Sequence, residues 1–378
     1  MSEKKISAIV QPRIYSAPKV PLEDRLPLDT PFSAHIDICS VCNFKCSFCF
    51  QADSKAMKEA QLKRGLMPFA LFKKIVDDLR EFPQRLKKVK IGNHGEPTLH
   101  ADLPAMIAYV KQSGVADIVE LFTNGSKLEP GLNSALAEAG IDRINISLEG
   151  LSSERYRQVA GAKVDMDAMI ANIAHLYRVR GHCRIYIKIA DQTSPLDSED
   201  KRIFVLSDEE RQSFFDTFGD KCDEIYVEKV VPQWAETQLD KQNTLAETGM
   251  YDQKIKGYKE ICPFVFMYLH FNWDGITSPC TLDWPKKVNI GDVRCTSAVE
   301  IWNGEPLRQL RIAMARGERD RINFCNHCSA PMVCVDEDLD PHKEQVLRVL
   351  GATEGERSGS NCWIQEPSRR SDESGSIT

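Results

Sequence analysis

Ten of the thirteen cysteines in this 378-residue chain fall into two groups whose spacing is typical of metal ligands. Cysteines that only pack in a core would be scattered, and an odd number cannot all form intramolecular disulfides. The grouping therefore predicts metal binding. The first group is Cys39, Cys42, Cys46 and Cys49; the second is Cys262, Cys280, Cys295, Cys325, Cys328 and Cys334; and Cys183, Cys222 and Cys362 stand apart.

The first group contains the array CxxxCxxC, Cys42 to Cys49, directly after a predicted strand. A structural zinc site normally takes four protein ligands. Three thiolates on a [4Fe–4S] cluster instead leave one iron open for a small molecule. Cys39 lies at the end of the strand and is expected to pack rather than to ligate.

Composition places the chain among ordinary globular proteins. Hydrophobic residues make up 42% and charged residues 28%, and the net charge is −6. That charge gives no reason to expect nucleic-acid binding. No apolar run approaches the ~20 residues that span a bilayer, and the N-terminus has no apolar signal segment. We expect a cytoplasmic protein without a membrane partner.

The middle of the chain alternates β-rich runs with amphipathic stretches. Six strand–helix repeats predict a parallel sheet with helical crossovers, and six units are too few for the usual eight-stranded barrel. The fold class is α/β, a partial (β/α)6 open parallel barrel plus a small irregular cluster-binding domain. The predicted strands are Ala34–Ile38, Lys88–Ile91, Ile118–Phe122, Arg143–Leu148, Arg184–Ile189 and Glu224–Glu228. One predicted helix directly follows Pro68, and four others cover residues 103–113, 131–139, 166–180 and 208–219.

Changes in sequence texture divide the chain into five parts. A small domain that is too irregular to build a large core needs a staple such as a metal, and the segment around the second cysteine group has that character. The parts are an N-terminal arm (1–30), the barrel (31–232), a connection (233–261), the cluster domain (262–345) and a largely disordered tail (346–378).

The cysteine array and the motifs that follow it resemble those of radical S-adenosylmethionine (SAM) enzymes. Asn93-His94-Gly95-Glu96-Pro97 is similar to the GGEP segment of that family, with His94 in place of the first glycine. Thr123-Asn124-Gly125 and Ser147-Leu148-Glu149-Gly150 end the next two predicted strands. Ligand sites of parallel α/β sheets collect at the carboxyl ends of strands, where each of these motifs lies.

The resemblance implies residue roles. Cys42, Cys46 and Cys49 would hold a SAM-binding [4Fe–4S] cluster. The residues that would contact SAM are Gly95, Glu96, Pro97, Thr123, Asn124, Ser147, Glu149 and Arg157, with Arg155 as the alternative to Arg157 for the SAM carboxylate. The family cleaves SAM reductively to a 5′-deoxyadenosyl radical that abstracts hydrogen from a C–H bond. A protein such as flavodoxin or ferredoxin would supply the electron.

The second cysteine group resembles that of SPASM domains and their shortened twitch form, which bind auxiliary [4Fe–4S] clusters. Gly291 and Ile301-Trp302-Asn303 fall where such domains carry a similar stretch. The economical ligand set is Cys262, Cys280, Cys325 and Cys328. A rival set is Cys325, Cys328, Cys334 and Cys362, Cys295 could substitute for a ligand, and structural zinc on the same thiolates is the chemical alternative.

A cluster with four protein ligands suits removal of an electron from a substrate radical. The leading hypothesis is a dehydrogenase or epimerase of a small polyol, sugar or nucleotide-linked sugar. Asp283 is the predicted base, ahead of Asp274 and His270. Cys183 is the predicted hydrogen donor, with Cys222, Cys295 and Cys334 as the alternatives. The alternatives are radical modification of a ribosomal peptide, by crosslinking or epimerisation, and a non-catalytic zinc-stapled binding protein.

Overall fold

The computed structural model describes residues 7–14, 20–196, 202–237, 248–255 and 257–352. The strands are β1 (Ile9–Val10), β2 (Ser33–Ile36), β3 (Leu86–Ile91), β4 (Ala116–Thr123), β5 (Arg143–Leu148), β6 (Arg184–Ala190), β7 (Gln192–Thr193), β8 (Phe204–Val205), β9 (Glu224–Glu228), β10 (Tyr268–Phe271), β11 (Ile276–Ser278) and β12 (Gly291–Asp292). The helices are α1 (Ser54–Glu59), α2 (Phe69–Leu79), α3 (Leu103–Ser113), α4 (Pro130–Glu138), α5 (Ser153–Ala160), α6 (Met166–Val179), α7 (Asp208–Phe218), α8 (Ala298–Asn303), α9 (Glu305–Ala315), α10 (Ala330–Val333) and α11 (Lys343–Val349).

Six parallel strands form the barrel in the order β2-β3-β4-β5-β6-β9. They coincide with the six strands expected from the sequence, which confirms the predicted fold class. Local signals explain the helices between them. For example, Pro68 precedes α2, and Ser207 and Glu210 form a capping box at the start of α7.

Two further elements extend the barrel sheet. At one edge β1 pairs in parallel with β9. At the other edge β10 pairs in parallel with β2 and is followed by antiparallel β11 and β12. The result is one sheet of ten strands that continues from the barrel into the cysteine-rich C-terminal part. The two cysteine groups are therefore attached to a common hydrogen-bonded sheet.

The two faces of the barrel strands differ in chemistry, because successive side chains point to opposite faces. Aliphatic residues such as Val89, Leu121 and Ile144 are fully buried against the helices. The other face, which lines the barrel lumen, is polar. Its residues include His35, Lys88, Lys90, Glu120, Asn145, Tyr186, Lys188, Glu224 and Glu228.

Ion pairs satisfy much of this buried charge. Arg143 and Arg184 both bind Glu224, at 2.5 and 2.7 Å. Lys188 pairs with Glu228. Arg13, from the segment after β1, reaches the lumen: its guanidinium donates to the Tyr251 hydroxyl. The lumen is thus a charged chamber held by paired groups.

The structure refines the predicted chain divisions at both ends. Part of the predicted arm is built into the sheet as β1, and α11 carries helix to Val349, inside the predicted tail. The tail from residue 353, including Cys362, lies outside the described residues. Within the described part of the chain, no helix has the length and apolar character needed to cross a membrane.

Glu224 offers a test of the paired lumen. Its carboxylate is buried, so Glu224→Met leaves the largely buried Arg143 without its partner, and we expect a loss of about 3–5 kcal/mol in the free energy of unfolding. The double variant Arg143→Met/Glu224→Met should recover most of that loss, since neither charge remains. Urea denaturation measures both. Equal losses in the single and the double variant would contradict the ion-pair explanation.

Candidate functional site

The loop that carries Cys42, Cys46 and Cys49 follows β2 and is held by backbone hydrogen bonds. Lys45 N and Ser47 N donate to the carbonyls at the end of α5, Ala160 and Val159, at 2.9 and 2.8 Å. All three sulfur-bearing side chains are half-buried. Phe44, within the array, and Phe50, directly after it, are buried, as expected for residues that shield a cluster from water.

Burial makes these thiols poor acids. The pKa of Cys49 is raised to about 12 by burial, and that of Cys46 is raised well above its usual value by burial and by nearby Glu149. The neighbouring Cys42 and Cys49 thiols also raise the pKa of Cys46, and Cys42 raises that of Cys49, as expected for groups that lie close together. Since thiolates are the metal ligands, this site ionises fully only around a cation.

Glu96 ties the predicted SAM-binding motifs together. Its buried carboxylate accepts from Thr98 N and Oγ1, from Thr123 Oγ1 at 2.6 Å, and from Asn124 N at 2.7 Å. Asn124 in turn donates to Asn43 Oδ1 at 3.0 Å, inside the cysteine array. The Glu96 carboxylate therefore orients the segments around it, and its acceptor capacity is used within the protein.

Gly95 is required by close approach of backbone. A Cβ there would lie 2.6 Å from the Cys39 carbonyl and 2.7 Å from the Val41 carbonyl. Cys39 itself is buried and donates to the Glu96 carbonyl at 3.2 Å, in agreement with the packing role expected for it. These contacts set the Asn93–Pro97 segment directly against the start of the cysteine loop.

The third motif contributes Glu149, beside Cys46. Burial raises the pKa of the Glu149 carboxyl to about 7. The backbone of Glu149 donates to the Tyr156 hydroxyl, and Tyr156 is fully buried under the loop. Ser147 lies two residues earlier, near the carboxyl end of β5. The structure thus brings all four predicted motifs to one edge of the sheet.

Arg155, rather than Arg157, points toward this edge. Arg155 lies over the Phe204 ring, donates to Glu210 and lines a small cavity together with Glu149. The side chain of Arg157 is 61% exposed and pairs with Glu154 on the outer face of α5. Of the two arginines predicted as SAM-carboxylate contacts, Arg155 therefore lies near the motif edge and Arg157 faces away from it.

The second cysteine group also assembles. Cys262 precedes a 3-10 turn, Cys280 follows β11, and Cys325 and Cys328 flank another 3-10 turn. Burial raises the pKa of Cys280 and of Cys325 well above the usual value, and the neighbouring thiols raise both further. Tyr268 donates its hydroxyl to the Cys280 sulfur at 3.6 Å, and Leu282 N donates to it at 3.3 Å.

Arg319 fixes the loop between Cys325 and Cys328. Its side chain is buried, and its guanidinium donates to the carbonyls of Cys325, Cys328 and Lys259. A buried guanidinium that satisfies three carbonyls holds them at fixed positions. Nothing in the sequence singled out Arg319, because its partners lie on other segments.

The remaining cysteines separate clearly. Cys334 lies near Cys328, which together with burial raises the pKa of Cys334. Cys295, in contrast, is exposed and lies beside the Asp292 carbonyl. Cys222 is buried at the amino end of β9. The alternative ligand set that includes Cys362 cannot be examined, since that residue lies outside the described range.

Sulfur spacing bears on the kind of metal. Four thiolates around zinc, at Zn–S distances of about 2.3 Å, lie about 3.8 Å from one another. Among the described residues, the one group with three ligand atoms within 4.8 Å of each other is Asp37, His94 and His270, and it contains no cysteine. Among the described residues, no three sulfurs of either cysteine group lie that close together, so their spacing is wider than that around zinc. The residues fit [4Fe–4S] clusters.

Two predicted catalytic residues are not placed for catalysis. Cys183 is buried one residue before the amino end of β6, opposite the strand ends that carry the motifs, so it is not a hydrogen donor to that site. Asp283 is buried, with its carboxylate accepting from Lys287 N and Val288 N, and it is not part of the wall of the cavity of about 1200 Å³ described below. Burial raises its pKa to about 6, but it serves as the cap of a turn.

The alternative bases are also occupied. Asp274 pairs with Lys286 at 2.6 Å, and His270 donates to Asp37 at 2.8 Å. Lys90, which the sequence did not single out, is different. It faces the lumen, no described residue pairs with it, and burial together with Arg13 lowers its pKa to about 7.

A cavity of about 1200 Å³ opens at the amino end of the barrel. It is bounded by the segment before β2, by the start of β3 and by the C-terminal part of the chain. Its wall includes Lys90, Ser33 and Gln84, and it reaches Tyr268, whose hydroxyl contacts Cys280. The cavity therefore connects the lumen with the second cysteine group.

Comparison with known proteins agrees with this geometry. Residues 36–190 match the model of the radical SAM superfamily, and residues 262–329 match that of the SPASM iron–sulfur cluster-binding domain. The two matches contain the two cysteine groups.

Individual relatives are distant. A "Probable GTP 3′,8-cyclase" of Metallosphaera sedula is 36% identical over 140 residues, which is 36% of this chain and 40% of that protein. One of Methanococcus maripaludis is 28% identical over 318 residues, 78% of this chain and 96% of the relative. Streptococcus suis SuiB bound to precursor peptide SuiA superposes with a TM-score of 0.50 at 16% identity, covering 83% of this chain and 73% of SuiB. That last likeness concerns the fold alone.

Arg319 provides a test of the second site. Arg319→Met leaves three buried carbonyls without a donor, so we expect the iron bound by the second cysteine group to fall from about four per chain to below one. Iron analysis after anaerobic reconstitution measures this. Arg294→Met, an exposed arginine of the same region paired with Asp292, should retain the wild-type iron content. Full iron in Arg319→Met would show that the guanidinium is not needed.

Proposed function

We propose, because this chain belongs to the radical SAM superfamily and carries a C-terminal SPASM-type domain, that it abstracts hydrogen from a small polyol, sugar or nucleotide-linked sugar as a dehydrogenase or epimerase. Its cofactors are SAM, a SAM-binding [4Fe–4S] cluster and an auxiliary iron–sulfur cluster. Bound together, SAM and the first cluster supply the 5′-deoxyadenosyl radical that takes the hydrogen atom. The chain's own residues position these groups and the substrate.

We assign Cys42, Cys46 and Cys49 to the SAM-binding cluster, and Cys262, Cys280, Cys325 and Cys328 to the auxiliary cluster. The Asn93–Pro97 segment, Thr123-Asn124, Ser147 to Glu149, and Arg155 surround SAM in this proposal. The assignment is supported by the hydrogen bonds through Glu96 that draw these segments together. The three cysteines that would hold the SAM-binding cluster lie in the loop after β2, at the carboxyl edge of the barrel strands.

The cavity at the amino end of the barrel, which reaches Lys90 in the lumen, is the observation that carries the substrate proposal. In this proposal the substrate extends from the cavity through the lumen, so that its reacting C–H bond lies beside SAM at the carboxyl edge. The cavity wall combines apolar side chains such as Phe32 and Met267 with Lys90, which has no ion-pair partner among the described residues, and it borders the auxiliary cysteine group through Tyr268. Small-molecule sites typically occupy ~300–1000 Å³. A cavity of about 1200 Å³ exceeds the needs of a simple sugar and favours the nucleotide-linked member of the substrate class.

The proposal extends to location and electron supply. None of the described cysteines forms a disulfide, and we propose a cytoplasmic enzyme that receives electrons from a flavodoxin- or ferredoxin-type donor. Radical modification of a ribosomal peptide is the second candidate. The size of the cavity favours it, because a peptide segment also fits such a volume.

Deuterium transfer tests the substrate class. Anaerobically reconstituted enzyme is incubated with SAM, dithionite and uniformly deuterated polyols, sugars or nucleotide-linked sugars, and the 5′-deoxyadenosine is analysed by mass spectrometry. We expect deuterium from a nucleotide-linked sugar. Deuterium that comes only from deuterated peptides would transfer the assignment to peptide modification. Zinc in place of iron in the purified protein would contradict both.

Lys90 tests whether the cavity is the substrate site. Lys90 is half-buried and has no ion-pair partner among the described residues, so its charged form is costly. Lys90→Met should therefore raise the free energy of unfolding at pH 7 by about 1–3 kcal/mol while lowering deuterium transfer at least about tenfold. Because the folded-state pKa is about 7 against an ordinary 10.5, the stability gain should shrink as pH rises from 7 to 10.5. Thermal and urea unfolding at several pH values measure it.

Lys88 is the matched control for this variant. It lies on the same face of β3 but pairs with Glu120 at 2.8 Å. Lys88→Met should therefore give no gain in stability. If Lys90→Met retained full deuterium transfer, the cavity would not be the substrate site, whatever the change in stability.

A further inference from the structure

Asp37, His94 and His270 form a buried polar cluster between the two cysteine groups. Asp37 follows β2, and His270 lies in β10, the strand that pairs with β2. His94 belongs to the segment after β3. Asp37 Oδ2 lies 3.0 Å from His94 Nδ1 and 2.8 Å from His270 Nε2, and Asp37 Oδ1 accepts from His94 N at 3.2 Å. All three side chains are less than 10% exposed.

The contacts of His94 define its charge. Its Nδ1 faces the Asp37 carboxylate and its Nε2 faces the Thr281 carbonyl at 2.5 Å. Neither partner can donate a hydrogen bond, so both ring nitrogens must carry hydrogen and the ring is an imidazolium. The adjacent carboxylate outweighs burial and raises the pKa of His94, while the two histidines hold the pKa of Asp37 far below its usual range.

The Thr281 carbonyl, which His94 Nε2 contacts, connects the predicted SAM site with the auxiliary cysteine group. Thr281 directly follows Cys280, and its carbonyl also accepts from Asn93 Nδ2 at 3.2 Å. At the near side, the His94 carbonyl accepts from Gln51, just after the first cysteine array. One imidazolium thus bridges the segment around SAM and the loop that carries an auxiliary cysteine.

The same three ligand atoms would also suit a metal ion. We assign the contacts as hydrogen bonds because 2.8 and 3.0 Å are N–H···O lengths and the second Asp37 oxygen is engaged by His94 N. Aromatic rings of Phe50 and Trp234 pack around His94, which strengthens charge-assisted hydrogen bonds by excluding water.

We propose that His94 is a positioning residue whose Asp37-held imidazolium fixes the Cys280–Thr281 loop against the Asn93–Pro97 segment, so that SAM binding alters the auxiliary cluster. The proposal rests on the proposed function, since it takes Cys280 as an auxiliary ligand. Coupling between two sites is reciprocal, so a bridge that transmits SAM binding to the cluster also makes SAM affinity depend on the cluster.

The test is a redox titration of the auxiliary cluster in the holoenzyme, followed by electron paramagnetic resonance with and without SAM. In the wild type we expect SAM to shift the midpoint potential of that cluster. His94→Asn cannot donate to both acceptors, so the shift should vanish and SAM binding should weaken about tenfold. Asp37→Asn, which keeps the shape but removes the carboxylate charge, should behave alike.

His100→Asn is the matched control. His100 is another buried histidine just beyond the same segment, and it bonds the Met67 carbonyl at 3.0 Å without reaching the auxiliary loop. It should keep the SAM-dependent shift even where stability falls. A shift that survives in His94→Asn and Asp37→Asn would overturn the proposal.

Other outcomes are separable. Wild-type protein that binds clearly fewer than about eight irons per chain, or that fails to bind SAM, would contradict the proposed function before the bridge is tested. A metal bound in addition to the cluster irons, and lost in both His94→Asn and Asp37→Asn, would overturn the hydrogen-bond assignment.

Discussion

The parallel pairing of β10 with β2 is the constraint on which the rest of the structure depends. It places His270 beside His35 in register and brings the C-terminal part of the chain alongside the first barrel strand. The loop after β2 carries the first cysteine group. The segments before β10 and after β11 carry Cys262 and Cys280 of the second group. Without this pairing, two cluster sites on separate domains would have no fixed relation to each other.

This shared sheet explains why so much polar chemistry is buried. Unpaired charges in a protein interior are costly, so each buried group needs a partner. Glu96, Arg319 and the Asp37 cluster form hydrogen bonds with groups of the two sites instead of with solvent. They act as rigid supports behind the cysteines, and Lys90, without a partner among the described residues, stands out against that pattern.

Sequence reasoning reached the architecture because its signals are local. Alternation marked the six barrel strands, and the CxxxCxxC array marked the first site within one loop. It could not find Arg319 or the bridge through His94, because their partners are distant in sequence. The choice between Arg155 and Arg157 needed the helical phase of α5, since residues two apart on a helix face different ways.

The sequence itself contained enough information to exclude Cys183 as a hydrogen donor at the motif edge. The predicted strand itself began at Arg184, so Cys183 had to lie at its amino end, away from the motif edge. Asp283 is different, because its backbone partners Lys287 and Val288 form a turn that no sequence pattern announced. The polar lumen was implicit in the strands, since lysine and glutamate alternate with aliphatic residues there.

We infer that one sheet holds two distinct clusters, of which only the first binds SAM. The most direct measurement is iron content and electron paramagnetic resonance of the reduced Cys42→Ala/Cys46→Ala/Cys49→Ala variant, with and without SAM. We predict about four irons per chain and a signal that SAM leaves unchanged, since the open iron has been removed. Loss of all iron, or a signal that still responds to SAM, would contradict the account.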